Sequence, residues 1–439
     1  MGTASSGEWI AILLYFALVI GVGVYFFFRD RHQEGEKEYF LGGRSMGGWV
    51  AALSAGASDM SAWVLMGLPG SIYLYGIGKV WISVGLLIGT VCAWIFVAPR
   101  LRRYSIRAND SITIPQFLTN RFLSKNKGLQ IISAIVFVVV YCIYSASSIS
   151  ACGTLFNTVT GMSAKTAMII ATAIILVYVF LGGFNAVCWT DFFQGMLMLG
   201  ALLIAPIFAA FMLKGHGVSE MPAGYWNAFA SWKDIVSGLG WGLGYFGQPH
   251  ILVRFMGISS PQAIKKSRRI ATVWVLISLT AAIMIGVSGR MFLGDGLLLN
   301  DGNQETIYIS MVAKIFPVFI AGIFLSAILA AIMSTADSQL LVTASALTED
   351  FYHNKIRPQA TEKELMWVSR GCVMAVAIIA VLIATNQNST ILGLVSYAWG
   401  GFGSAFGPLV LCSLFWKRTN KQGAYAGILV GGIVDLVWA

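Results

Sequence analysis

The sequence predicts an all-α polytopic membrane protein, and three observations carry that prediction. Hydrophobic residues make up 57% of the 439 and charged residues only 11%, a balance suited to a bilayer rather than to water. Apolar runs of about 20 residues, the length that spans a hydrocarbon core, recur with short polar interruptions. Most of the 29 Lys and Arg fall in alternate connections, at 29–48, 100–128, 254–269, 349–370 and 417–421, whereas intervening connections such as 291–308 are acidic or neutral. This positive-inside pattern places the N-terminus outside.

The runs give about twelve spans: 9–28, 49–75, 80–99, 129–152, 163–182, 191–213, 235–256, 270–290, 315–346, 366–385, 391–415 and 422–438. The net charge of +10 does not point to nucleic acid, because the basic residues are dispersed over five loops on one membrane face. The N-terminal run is too long, and too poor in leading basic residues, for a cleaved signal peptide, and reads as a retained first helix. Cys92, Cys142, Cys152, Cys188, Cys372 and Cys412 lie within or beside spans without metal spacing, so they read as core thiols. Of four histidines, His32, His216 and His353 fall in loops, so paired haem ligation across a bundle is not available.

The second span carries an acid where lipid disfavours one. Asp59 lies within VAALSAGASDMSAWVLMGLPGSI, residues 50–72. A carboxylate at membrane depth costs at least ~2.5–3.5 kcal/mol and marks an ion or substrate path. The competing reading is a protonated, hydrogen-bonded carboxyl in a helix bundle. Gly56 and Gly67-Leu68-Pro69-Gly70 interrupt the same run and free backbone groups for a polar ligand. The seventh span is interrupted alike: SGLGWGLGYFGQP, residues 237–249, has glycine at alternate positions and then Pro249, which weakens and kinks a helix. Two broken spans five apart, running in opposite directions, indicate inverted repeats with a site between them. The chain is therefore expected to form one transporter domain: an extra helix at 9–28, repeats at 49–213 and 235–415, and a last helix at 422–438. The alternative is that these glycines serve close helix packing.

In the ninth span Ala331, Ser334, Thr335 and Ser338 share one helix face. Hydroxyls suit a hard cation such as Na⁺ and not zinc or copper, although Ser and Thr also bond their own helix. Asp191 and Asp337 lie near membrane depth and suit a second cation or a proton; for Asp191, after Thr190, helix N-capping competes. Trp63, Tyr144, Trp241 and Tyr245, near the breaks, are candidate walls of a solute pocket.

These residues sit in runs that resemble a known family. LGGRSMGGWVAALSAGASDMSAWVLMGLPG (41–70), GWGLGYFGQPHILVRFM (240–256), LSAILAAIMSTADSQLLVTASALTEDFY (325–352) and LGLVSYAWGGFGSAFGPLVL (392–411) closely resemble the sodium:solute symporter family, and within it the bacterial sodium/proline symporters. The resemblance implies the five-plus-five inverted-repeat (LeuT-like) fold with one extra N-terminal helix, and Na⁺-coupled uptake of L-proline by alternating access across the bacterial plasma membrane. The main sodium site would use the carbonyls of Ala57, Met60 and Ala331 and the hydroxyls of Ser334 and Thr335, with Asp59 as supporting acid. Substrate contacts would be Ser61, Trp63, Tyr144, Trp241, Tyr245 and Pro249, and Arg44 would belong to the inner gate. The second sodium site of some relatives falls on Asp191, Ser334, Asp337 and Ser338. Family members usually have thirteen spans, so one beyond the twelve counted is implied, outside the repeats and not needed for binding.

No enzymatic activity, no cofactor other than the coupling ion and no obligatory protein partner are expected. The alternatives are a sibling carrier for another small carboxylate or zwitterion such as pantothenate, an ion channel, and a non-transporting proline sensor.

Overall fold

A computed structural model describes residues 5–30, 36–124, 127–213, 218–298, 303–385 and 390–438; His32 and His216 lie outside them. The polarity of the chain is turned inside out. Large apolar side chains such as Leu13, Leu18, Leu276 and Leu382 stand exposed, while Asp59, Asp191, Asp337, Ser334 and Arg254 are buried. That arrangement suits a lipid surface around an interior holding polar groups. All six cysteines are free.

The described residues contain eight helices long and apolar enough to cross a membrane, against twelve expected spans. Two of the missing four are the broken ones. The second span is α2 (Gly48–Asp59), a π-helical turn at Trp63–Gly67, and α3 (Leu68–Tyr75). After α4 (Val80–Cys92), α5 (Ala98–Arg107), α6 (Gly128–Thr160) and α7 (Ala164–Leu213), the seventh span is α8 (Trp232–Gly240), a 3₁₀ turn at Trp241–Phe246 and α9 (Pro249–Gly257). The chain continues as α10 (Pro261–Leu293), α11 (Val318–Ser345), α12 (Glu362–Thr385), α13 (Ile391–Phe415) and α14 (Lys421–Trp438). The extra helix, α1 (Ser6–Asp30), packs on α7 and α11.

The break expected between the fifth and sixth spans is absent as a break in helix. Both lie in α7, whose 50 residues follow a path of about 75 Å, enough for two crossings of a ~30 Å core. Asn185–Thr190 carries no Pro or Gly and continues the helix.

The two broken spans lie side by side in opposite directions. Met46, just before α2, bridges Ile258, just after α9, through Met46 N–H to Gly257 O (3.2 Å) and Ser259 N–H to Met46 O (3.0 Å). At the far end Ile77, just after α3, donates to Tyr225 O (2.9 Å), and Lys79 pairs with Asp234 of α8 (3.0 Å). The start of each thus meets the end of the other, as an inverted pair requires.

The glycines of the seventh span also pack. A Cβ on Gly85 would lie 2.2 Å from Gly238 O, and one on Gly89 2.2 Å from Gly242 O, so α4 meets the broken helix backbone to backbone. Gly85→Ala is expected to destabilise the protein by about 1–3 kcal/mol, the usual cost of overpacking. Thermal unfolding in detergent checks this, and an unchanged Tm would refute the tight contact.

Candidate ion and substrate site

The site starts from a carbonyl the break sets free. In a continuous helix Ala57 O would accept from the N–H of Ser61. Instead Met60 leaves helical geometry (φ −83°, ψ 76°) and Ser61 N–H donates to Asp59 O (3.0 Å). Ala57 O accepts from α11: Ser334 Oγ at 2.9 Å and Thr335 Oγ1 at 3.4 Å, while Ser334 Oγ also reaches Ala331 O at 3.2 Å. Two carbonyls and two hydroxyls, all buried, therefore converge between α2 and α11, with Met60 at the break itself. The hydroxyl stripe reaches across helices, beyond the back-bonding available to any Ser or Thr.

Asp59 joins the two breaks. Its Oδ2 accepts from Tyr245 Oη, and its backbone carbonyl accepts from the Trp63 indole N–H (3.0 Å). The mirrored break is held similarly: Trp399 Nε1–H donates to Trp241 O (2.7 Å), and the Tyr245 and Trp399 rings meet edge-on at 5.1 Å. Pro249 is the first residue of α9, so it starts a helix, where its missing N–H costs nothing.

Several buried polar atoms here have no partner among the described residues: Asp59 Oδ1, Tyr144 Oη, Gln248 Oε1 and His250 Nε2. Buried polar groups are normally satisfied, so such a set marks a place for a ligand. His250 was missed from sequence, although it follows Pro249 directly. Its backbone N–H donates to Tyr141 Oη (2.9 Å), and Tyr141 Oη lies 3.2 Å from His250 Nδ1. A Tyr141 hydroxyl donating to Nδ1 would put the proton of a neutral ring on Nε2 as a donor, and the opposite tautomer would make Nε2 an acceptor. The Tyr144 ring lies 6.0 Å away.

The second cation set is not arranged as sequence implied. Asp191 is no N-cap; it lies inside α7 and pairs with Arg254 Nη2 at 3.1 Å, both side chains buried. Arg254, counted from sequence among the loop cations at 254–269, is an interior residue of α9. Its Nη2 also donates to Ser338 Oγ (2.5 Å), and Ser338 Oγ contacts Asp337 Oδ1 (3.1 Å). Ser334 belongs with Ala57 instead. The guanidinium occupies the place between Asp191 and Ser338.

The two ends of the bundle differ. At one, a cavity of about 300 Å³ is lined by Tyr75, Lys79, Trp241, Glu305 and Leu392 among others. Glu305 there caps the start of α13 by accepting from Ile391 N–H (2.9 Å) and Leu392 N–H (3.1 Å). At the other, Arg44 donates to Met256 O (2.6 Å) and Ser111 O (2.8 Å) and pairs with Asp110 (3.1 Å), stitching the seam beside the Met46–Ile258 bridge.

Two antiparallel broken helices joined through a buried carboxylate define a secondary transporter of the inverted-repeat class. The chain matches the sodium:solute symporter family over residues 39–431 and belongs to it. It is 48% identical over 410 residues to the high-affinity proline transporter PutP of Bacillus subtilis, covering 92% of this chain and 86% of that one. It is 43% identical to the sodium/proline symporter of Escherichia coli, covering 97% and 87%. Among solved structures, a Na⁺-coupled sialic acid symporter in a substrate-bound outward-open state superposes with a TM-score of 0.81 over 99% of this chain and 98% of that one, at 19% identity. A nucleobase-cation-symport-1 family transporter gives 0.56 over 91% and 93%, at 16%. Both share the fold.

Proposed function

We propose that this chain couples inward Na⁺ movement to uptake of L-proline by alternating access. The observation that carries the reading is the freed Ala57 carbonyl gathered with Ser334 and Thr335 two residues from Asp59. Na⁺ binds the carbonyls of Ala57, Met60 and Ala331 and the two hydroxyls, a hard-oxygen set. Asp59 supplies negative potential without serving as a direct ligand. The reading of proline as the solute is supported by the relatives, which are named as proline transporters.

Proline lies between the breaks, bounded by Ser61, Trp63, Tyr144, Trp241, Tyr245 and Pro249. Its apolar ring suits the aromatic walls. Its carboxylate suits two donors, Tyr144 Oη–H and His250 Nε2–H. Arg44 closes the cytoplasmic side in a plasma-membrane protein whose N-terminus is outside, so the cavity at Trp241 opens outward.

Binding Na⁺ orders the break at Met60 and thereby raises proline affinity. By linkage, proline raises Na⁺ affinity by the same factor. The test is uptake of labelled proline by purified protein in liposomes under inward Na⁺, Li⁺ or H⁺ gradients. Accumulation driven by Na⁺ is expected, and equal accumulation with K⁺ in its place would refute the coupling. Competition by a panel of small carboxylates, pantothenate included, is expected to leave proline preferred.

A further inference from the structure

We propose that Arg254 is a resident cation: its guanidinium fills the second cation position, so that only the main site exchanges Na⁺ with solution. This rests on the symport reading above. The hydrogen bonds of the Arg254 side chain are to oxygens, as those of a bound cation would be. Nε donates to Ser54 Oγ (3.1 Å), Nη1 to His250 O (2.8 Å), and Nη2 to Asp191 Oδ2 (3.1 Å) and Ser338 Oγ (2.5 Å). Its Cζ stands 5.5 Å over the Phe184 ring. The side chain draws on α2, α7 and α11 while belonging to α9.

An arginine in a protein keeps its charge, and a buried cation needs a buried anion in reach. Asp191 is that anion. A free Na⁺ added here would meet a like charge and find Asp191 Oδ2 and Ser338 Oγ already engaged. Asp191 Oδ1 nevertheless has no partner among the described residues. Take the guanidinium away and the vacated space offers both Asp191 oxygens, the hydroxyls of Ser54 and Ser338, and Asp337 beyond Ser338. That is a hard-oxygen set for a small monovalent cation. A tethered cation cannot be released, so this charge balances Asp191 through the cycle without drawing on the gradient.

The test is equilibrium binding of radioactive Na⁺ to the purified full chain, with the Na⁺ dependence of proline binding measured beside it. Arg254→Met is expected to bind one more Na⁺ per chain than the wild type, and the Hill coefficient for Na⁺ to rise from about 1 toward about 2, because two linked ions now favour the same state. Arg254→Lys keeps a cation in place and should show no gain. Adding Asp191→Asn to Arg254→Met should abolish the gain. Two exchangeable Na⁺ ions in the wild type, or no gain in a folded Arg254→Met, overturns the proposal. Should Arg254→Met not fold, the double variant, which removes both charges, is expected to keep the wild-type Na⁺ count; loss of an ion there means Asp191 holds an exchangeable cation and overturns it equally. A wild type that binds no Na⁺ refutes the symport reading. The gain on Arg254→Met, read as a difference, still decides this one.

Discussion

Asp59→Asn is expected to suppress Na⁺-stimulated proline uptake while leaving the protein folded. The asparagine side-chain oxygen can still accept from Tyr245, so the hydrogen bond between the two breaks survives. What disappears is a full negative charge two residues from Ala57 and next to Met60. At a separation of ~7 Å and an effective dielectric of ~20, that charge stabilises a monovalent cation by about 2.4 kcal/mol, or roughly 50-fold in affinity. The half-saturating Na⁺ concentration should rise by about that factor, and proline affinity at low Na⁺ should fall with it. Na⁺ titrations of proline binding, with thermal unfolding as the control for folding, measure both. Tyr245→Phe separates the two roles of the carboxylate. It removes the link between the breaks but keeps the charge, so it should weaken proline binding at saturating Na⁺. An Asp59→Asn protein with normal Na⁺ dependence would leave the charge without a function.

The convergence of α2 and α11 at Ala57 O was legible in part because its signals are local. Gly56, Asp59 and the Gly67–Gly70 run mark a break within one span, and Ser334 and Thr335 share a face within one helix; only their meeting at Ala57 O needs the fold. The mirrored glycines were half legible. Their helix-weakening effect shows in sequence, but that Gly238 and Gly242 are pressed against Gly85 and Gly89 depends on a partner helix some 150 positions away. Arg254 was not legible. It stands at the edge of an apolar run before a basic loop, where charge patterning assigns it to the loop, and its anion lies 63 residues earlier. The one available signal was that HILVRFM follows Pro249 as a helix start, which carries Arg254 into the helix. Asp191 failed for a related reason. A Thr-Asp pair before an apolar run reads as a cap only if a helix begins there, and α7 has begun 27 residues earlier. His250 needed Tyr141, 109 residues distant, whose hydroxyl meets both its backbone N–H and Nδ1.

Ser334→Ala and Thr335→Ala are each expected to raise the Na⁺ requirement without lowering maximal uptake at saturating Na⁺. A hydrogen-bonding group facing a charge is worth about 1.5–3 kcal/mol, so losing one hydroxyl ligand should shift half-saturation by roughly 10- to 150-fold. Ser334 is the more consequential, because it bonds both Ala57 O and Ala331 O whereas Thr335 reaches Ala57 O alone at 3.4 Å. If these hydroxyls only glue α11 to α2, the variants will instead show a lower Tm with an unchanged Na⁺ titration. Li⁺ distinguishes their effect from that of Asp59→Asn. Removing a ligand changes the number of oxygens around the ion, to which cations of different size respond differently, so the Na⁺/Li⁺ preference should move. Removing the Asp59 charge alters the field felt equally by both monovalent ions, so affinities should fall together with the preference intact. A shifted preference in the hydroxyl variants and a constant one in Asp59→Asn would separate the atoms that hold the ion from the charge that attracts it.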